Sequence, residues 1–372
     1  MEIKIARGEL LSGLGLIQGI VERKTTMPIL ANVLLEAGVG NLSLTATDLE
    51  VGLNGVYKAE VISKGKVTVH ARSLYDITRE LADDTVHLIV KEGNWIEISC
   101  DRSRYKIVGL ASDEFPTLPQ RGDGDLWRCD GKILLQMIDK TSFAMSTDET
   151  RFNLNGVYLD PMAGKEKEKR KLKMVATDGH RLSIMEREVD LKCTIQKGVI
   201  IPRKGVSEIK KLIGSGEKPI DLWGDGKHLI AYEGNTTLVI RLIDGQFPPY
   251  EQVVPKQAKR VLTVSRERLI KALKRVSVLT PDRSRGVRFA VSSKMVEISS
   301  SNPDVGEARE EMESSYKGES FSVGFNAKYF LDALSSIEDE IAVLELGDET
   351  APCVLRSEKE RGFTHVIMPM RL

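Results

Sequence analysis

Five histidines (His70, His87, His180, His228, His365) and four cysteines (Cys100, Cys129, Cys193, Cys353) are the residues in which metal or redox chemistry would show first. No two histidines stand at the i, i+4 spacing that puts two ligands on one helix face. No cysteine is near enough to another for a metal knuckle or a redox pair, so they read as free thiols of a reducing cytosol. These spacings predict no metal and no cofactor. A phosphate loop and a G-x-S-x-G nucleophile elbow are both absent, and the run Gly13-Leu14-Gly15 meets Gln18 where a dinucleotide fingerprint needs its third glycine. One cluster remains, Asp178-Gly179-His180-Arg181, in which a carboxylate and an imidazole could form half of a catalytic triad. A triad also needs a nucleophile within reach of the base, and the local sequence supplies none. Ala46-Thr47-Asp48 repeats the Ala-Thr-Asp string with no histidine after it, which reads the aspartate as a turn former. A hydrolase using Asp178 and His180 and a scaffold that binds only proteins both stay open at this point.

The elements that would position such residues recur. Amphipathic helices are predicted over residues 7–20, 132–145 and 265–279, each followed by alternating strand pairs. A strand then runs into a second helix, opened by Ala71-Arg72, Pro202-Arg203 and Asn326-Ala327. A last run of strands ends at Phe115-Pro116, at Phe247-Pro248 and before Pro369. Four landmarks in one order, three times, define a threefold repeat of α+β units. We expect domains at residues 1–120, 126–252 and 260–372, joined by linkers at 118–125 and 254–259. The basic run 164–173 splits a strand pair and reads as a solvated loop.

Lys and Arg together number 54, matched by 54 Asp and Glu, so any nucleic-acid face must concentrate its cations. The predicted helices carry Arg7, Arg72, Arg79, Lys132, Lys140, Arg203, Lys204, Lys210, Lys211, Arg266, Arg268, Lys271, Lys274, Arg275 and Lys328. A rotation relating the repeats would gather these into one basic lining that holds phosphates without reading bases. No apolar run approaches a membrane span or a signal core, and a cytoplasmic location is expected.

The strings MPILAN (27–32), LTATDLE (44–50), ATDGHRL (176–182), IPRKG (201–205), DGQFP (244–248) and MPMRL (368–372), with Asn155-Gly156 between, resemble the β-subunit family of bacterial DNA polymerase III. The resemblance spans the whole chain. It implies the DNA clamp fold, a head-to-tail homodimeric ring of six similar domains with helices lining the hole. It implies a non-catalytic processivity factor that encircles duplex DNA without sequence preference. Polymerases and the clamp loader would insert short apolar peptides into a pocket between the second and third domains. By resemblance that pocket takes Arg151, Leu154, Thr177, Gly179, His180, Arg181, Leu182, Pro248 and Val253 from one side. From the other it takes Asn326, Tyr329, Cys353, Val366, Ile367, Met368, Pro369, Met370 and Arg371. Arg151, His180, Arg181 and Arg371 would rim it, and Gln252 stands where an arginine is usual. DNA contacts match Lys24, Arg72, Phe152, Asn153 and Lys204. The dimer contact matches Tyr105 and Ile107 against Val278 and Leu279, with Ser284 replacing a bulkier apolar residue nearby.

Overall fold

A computed structural model describes residues 1–22, 26–82, 84–123, 126–162, 170–189, 197–255, 260–280 and 285–372. Among these residues one order of elements occurs three times: strand, helix, four strands, helix, three strands. The helices are α1 (Arg7–Ile17), α2 (Ala71–Glu80), α3 (Gly131–Thr141), α4 (Arg203–Ile213), α5 (Arg266–Val276) and α6 (Ala327–Ser336). Each buries one stripe of its surface; in α5 the buried residues are Leu269, Ala272, Leu273 and Val276. The helices predicted over 132–145 and 265–279 are shorter as α-helix, because their last turns tighten into the 3-10 turns Ser142–Ala144 and Ser277–Leu279. Ser265 caps α5 by accepting from the Arg268 N–H at 3.5 Å, and Asn326 caps α6 by accepting from the Lys328 N–H at 2.9 Å.

The strands make two twelve-stranded sheets in two compact units, one built mainly from Met1–Leu135 with Lys204–Ile243, the other from Gln136–Asp190, Gly198–Arg203 and Asp244–Leu372. The central repeat therefore divides. Its strands Trp127–Cys129, Ile220–Gly224, His228–Glu233 and Thr236–Arg241 join the first sheet; Gly156–Met162, Arg170–Thr177, Arg181–Val189 and Val199–Pro202 join the second.

The graft uses the same edge each time. In the first repeat the long strand Val51–Ser63 pairs through residues 51–55 with Thr236–Arg241, the last strand of the second repeat, and through 59–63 with Glu2–Ala6. In the second repeat Arg181–Val189 pairs through residues 181–185 with Phe363–Ile367, the last strand of the third. The long strand of the third repeat, Gly306–Tyr316, pairs through 314–316 with Arg260–Ser265, and residues 306–313 have one edge unpaired among the described residues. The last strand of the first repeat, Ser103–Leu110, pairs with Trp95–Cys100, and among the described residues only Gly109 and Leu110 are paired on its other side.

The landmarks do not contain the strands Val51–Ser63 and Gly306–Tyr316. The latter, GEAREEMESSY, buries only Met312 and Tyr316, so it shows no apolar alternation. Residues 170–173, expected in a loop, belong to the strand Arg170–Thr177, where Lys171 faces Met162. The remainder of that loop lies outside the described residues.

Candidate functional site

The Asp178 carboxylate builds a turn. Its Oδ1 accepts from the His180 and Arg181 N–H groups at 2.9 and 3.0 Å, and its Oδ2 accepts from Arg181 Nε at 3.1 Å. The first repeat copies the device: Asp48 Oδ1 accepts from the Glu50 and Val51 N–H groups at 2.9 and 2.6 Å. Thr47 and Thr177 both donate their hydroxyls back across the turn, to Val51 O and Arg181 O. Gly179 takes a positive φ of 89°, natural for glycine, where the first repeat forces Leu49 to 76°. An aspartate so committed to three donors cannot orient His180, and the hydrolase reading loses its partner. Among the described residues no group of three or more His, Cys, Asp or Glu is placed to hold a metal.

This turn and the last strand wall an apolar cavity of about 270 Å³. Nine of the expected residues line it: Leu154, Thr177, Gly179, Arg181, Leu182, Pro248, Val253, Val366 and Met368. Pro249 and Tyr250 line it too and were missed, although both follow directly on the Phe247-Pro248 landmark. Beneath lies a cluster of Val175, Leu182, Ile184, Tyr250, Val354 and Val366.

Arg181 was expected at the rim and is instead a strut, only 5% exposed. Its Nη1 donates to Asp332 at 2.6 Å and its Nη2 to the Phe143 carbonyl at 2.6 Å, and its guanidinium lies 4.6 Å from the Tyr329 ring centroid. Each of its three nitrogens thus makes one bond to the surrounding framework, using three of the five N–H groups. Tyr329 is thus part of the support; burial raises its phenol pKa, with the Asp178 charge adding. Behind the strut His365 is fully buried, beside the Phe143 ring at 5.4 Å, with both ring nitrogens lacking a partner among the described residues. Burial, with the Arg181 charge adding, pushes its pKa down to about 3.

The other expected pocket residues fall into three groups. Arg151 and His180 are exposed at the turn, and Arg151 Nη1 donates to Asp178 O at 3.0 Å. Cys353 and Ile367 face each other across a strand pair and are wholly buried, so they back the wall; burial raises the Cys353 thiol pKa. Asn326 ends the strand Phe321–Asn326 and caps α6, and Pro369, Met370 and Arg371 belong to the packed-down tail. Met368 N donates to His180 O at 2.9 Å, Met370 N donates to Gly324 O at 2.8 Å, and a Cβ on Gly286 or Gly324 would collide with Leu372.

The structure thins the expected basic lining. Arg7 donates to the Thr78 and Arg79 carbonyls at 3.0 and 2.6 Å, and Arg266 to Asp339 and Leu334 at 2.7 and 2.8 Å, satisfying carbonyls at or just beyond the ends of α2 and α6. Arg203 donates to Met145 O and Ser146 O. Lys140 and Glu360 form a buried pair at 2.6 Å. Lys204 Nζ is held by Asp48 and by Ile20 O at 2.8 Å. Arg72 stays exposed, 3.7 Å from Asp76; Phe152 is 56% exposed, and Asn153 Nδ2 donates to Gln246 O. Lys24 and Ser284 lie outside the described residues. Of the expected dimer residues, Tyr105 is exposed and Ile107 half-buried on the strand Ser103–Leu110. Val278 is exposed and Leu279 half-buried on the turn after α5.

Comparison with known proteins agrees with this architecture. Residues 1–119, 129–249 and 251–371 match models of the N-terminal, central and C-terminal domains of the DNA polymerase III beta subunit. The chain is 35% identical over 374 residues to the Beta sliding clamp of Caulobacter vibrioides, covering 100% of both. The crystal structure of the DNA polymerase III subunit beta from Pseudomonas aeruginosa superposes with a TM-score of 0.94 at 34% identity over 100% of both chains. That of a sliding clamp from Bartonella birtlesii, bound to griselimycin, does so with a TM-score of 0.95 at 32% identity, again over 100% of both. Among the described residues no helix is long and apolar enough to cross a membrane. The chain, an α+β protein of three like repeats, belongs to the DNA polymerase III beta-subunit family of sliding clamps.

Proposed function

We propose that two copies close head to tail into a ring around duplex DNA and tether polymerases by peptides seated in the apolar pocket. One observation carries the ring. The long strand of each of the first two repeats holds the last strand of the next repeat, so one graft per chain is left undone. Its halves are the open edge of residues 306–313 and the open edge of 103–108. They suit each other in charge: the first strand carries Glu307, Glu310, Glu311 and Glu313 against a single Arg309, the second Arg104 and Lys106. Neither edge is paired within the chain among the described residues; a second copy makes both joins, and head-to-tail contacts that close give a ring. Tyr105, Ile107, Val278 and Leu279 then lie at the join.

In this reading the domains are 1–120, 126–252 and 260–372, and duplex DNA meets few free cations. Arg72, Phe152, Asn153 and Lys24 are the positions it would meet. Lys204 meets phosphate only by leaving Asp48. Weak contact of this kind permits sliding, because departure needs an interface to open rather than phosphates to be released. The nine residues that line the pocket, with Pro249 and Tyr250, seat apolar side chains of the replicative polymerase, the clamp loader and repair polymerases. Arg151, His180 and Arg371 reach their polar atoms. Tethering raises the local polymerase concentration to the order of mM for a short link. The work belongs in the cytoplasm, and the clamp itself is not a catalyst.

The test is topological. Loaded on nicked circular DNA, the protein should stay through gel filtration and leave when the circle is cut once. Equal retention on circle and line would refute encirclement.

A further inference from the structure

Beside the pocket lies a cluster that an apolar peptide alone does not use. The Tyr158 and Phe247 rings stack at 4.8 Å and 8°, and Tyr250 meets them edge-on at 6.3 and 6.2 Å. Tyr250 also lines the pocket; it is 5% exposed, and its hydroxyl is buried without a hydrogen-bond partner among the described residues. Burial raises the Tyr250 phenol pKa, and the nearby charges of Glu251 and Asp160 raise it further. Asp160 is half-buried, and burial holds its carboxyl above the usual range, with Glu251 adding and Lys173 opposing. Lys173 faces Asp160 across the strand pair, yet its ammonium pairs with Glu186 at 3.6 Å. Neither Asp160 nor Glu251 has an ion-pair partner among the described residues. Two like charges near aromatic rings, one of them half out of water, form an arrangement that a cation would relieve.

We propose that this cluster is a subsite of the peptide pocket and takes a lysine or arginine side chain that flanks the apolar residues of the bound segment. The aliphatic stem would lie along Tyr158 and Phe247, and the charged head would reach Asp160 and Glu251. The Tyr250 oxygen would then accept one of the cation's N–H groups. The inference rests on the peptide reading of the pocket and adds a charge requirement to it.

The probe is a labelled pentapeptide, Ser-Leu-Ser-Leu-Phe, extended at either end by Gly-Lys or by the neutral Gly-Gln, with binding read by fluorescence anisotropy at low salt. For one of the two ends the lysine probe should bind roughly three- to tenfold tighter than its glutamine twin. In Asp160→Asn/Glu251→Gln that ratio should fall to about one while the glutamine probe keeps its affinity. A ratio of one at both ends in the unaltered protein, or a ratio that survives the substitutions, overturns the subsite and leaves the pocket standing. Loss of the glutamine probe in the variant assigns the carboxylates a structural role and also overturns the subsite. Binding of neither probe overturns the pocket reading and the subsite with it.

Discussion

Methionine in place of Arg181 removes a charge while keeping an unbranched chain of similar length. Arg181 is 5% exposed and carries contacts to Asp178, Asp332 and Phe143 O, at 3.1, 2.6 and 2.6 Å. Its removal leaves Asp178, 16% exposed, and Asp332, 27% exposed, without their counter-charge. Breaking a fully buried pair costs about 3–5 kcal/mol; the exposure of Asp332 lets water replace part of the loss, so about 2–3 kcal/mol is expected here. Trp95, Trp127 and Trp223 all lie in the first unit, so tryptophan fluorescence does not see this change. Hydrogen exchange of Arg181–Val189 and α6 does, and it should speed by roughly 30- to 150-fold while the tryptophan unfolding midpoint stays put. Restoring neutrality with Arg181→Met/Asp332→Asn should recover part of the protection. Unchanged exchange together with lost peptide binding would refute the strut and return Arg181 to the rim.

His365 is held neutral, with a folded pKa of about 3 against about 6.5 when free. Its stabilising contribution is whole above the free value and fades as pH falls toward the folded one. His365→Leu should therefore flatten the loss of melting temperature between about pH 6.5 and about pH 4, with little change at neutral pH; an identical acid limb counts against this. On DNA, each lost phosphate contact lowers the log–log salt slope by about 0.9. Arg72→Ala should show that change, and Lys204→Met should not, because Lys204 is tied to Asp48 and Ile20. Deleting residues 368–372 should abolish peptide binding, since Met368 lines the pocket, and leave the native mass unaltered; a monomer would make the tail part of the join.

The threefold repeat was legible because it is written in helix period, strand alternation and proline corners. Polar strands were not: Gly306–Tyr316 has the letters of a solvated loop, and only its neighbours Met295–Asn302 and Arg260–Ser265 make it a strand. The pocket's apolar half could be read by resemblance, and Tyr250 by its place after Phe247-Pro248. Which cations are free could not be read. Arg7, Arg203 and Arg266 all open helices, and only the fold shows that backbone carbonyls engage them. Burial of Cys353 and Ile367 is likewise a property of the sheet, where they face each other.

Native mass measured across a dilution series, beside a charge-reversed Arg104→Glu/Lys106→Glu variant, tests head-to-tail closure most directly. The account predicts one species of twice 41.3 kDa and a variant that dissociates at higher concentration. A monomer at every concentration, or an open-ended ladder of higher masses, would contradict it.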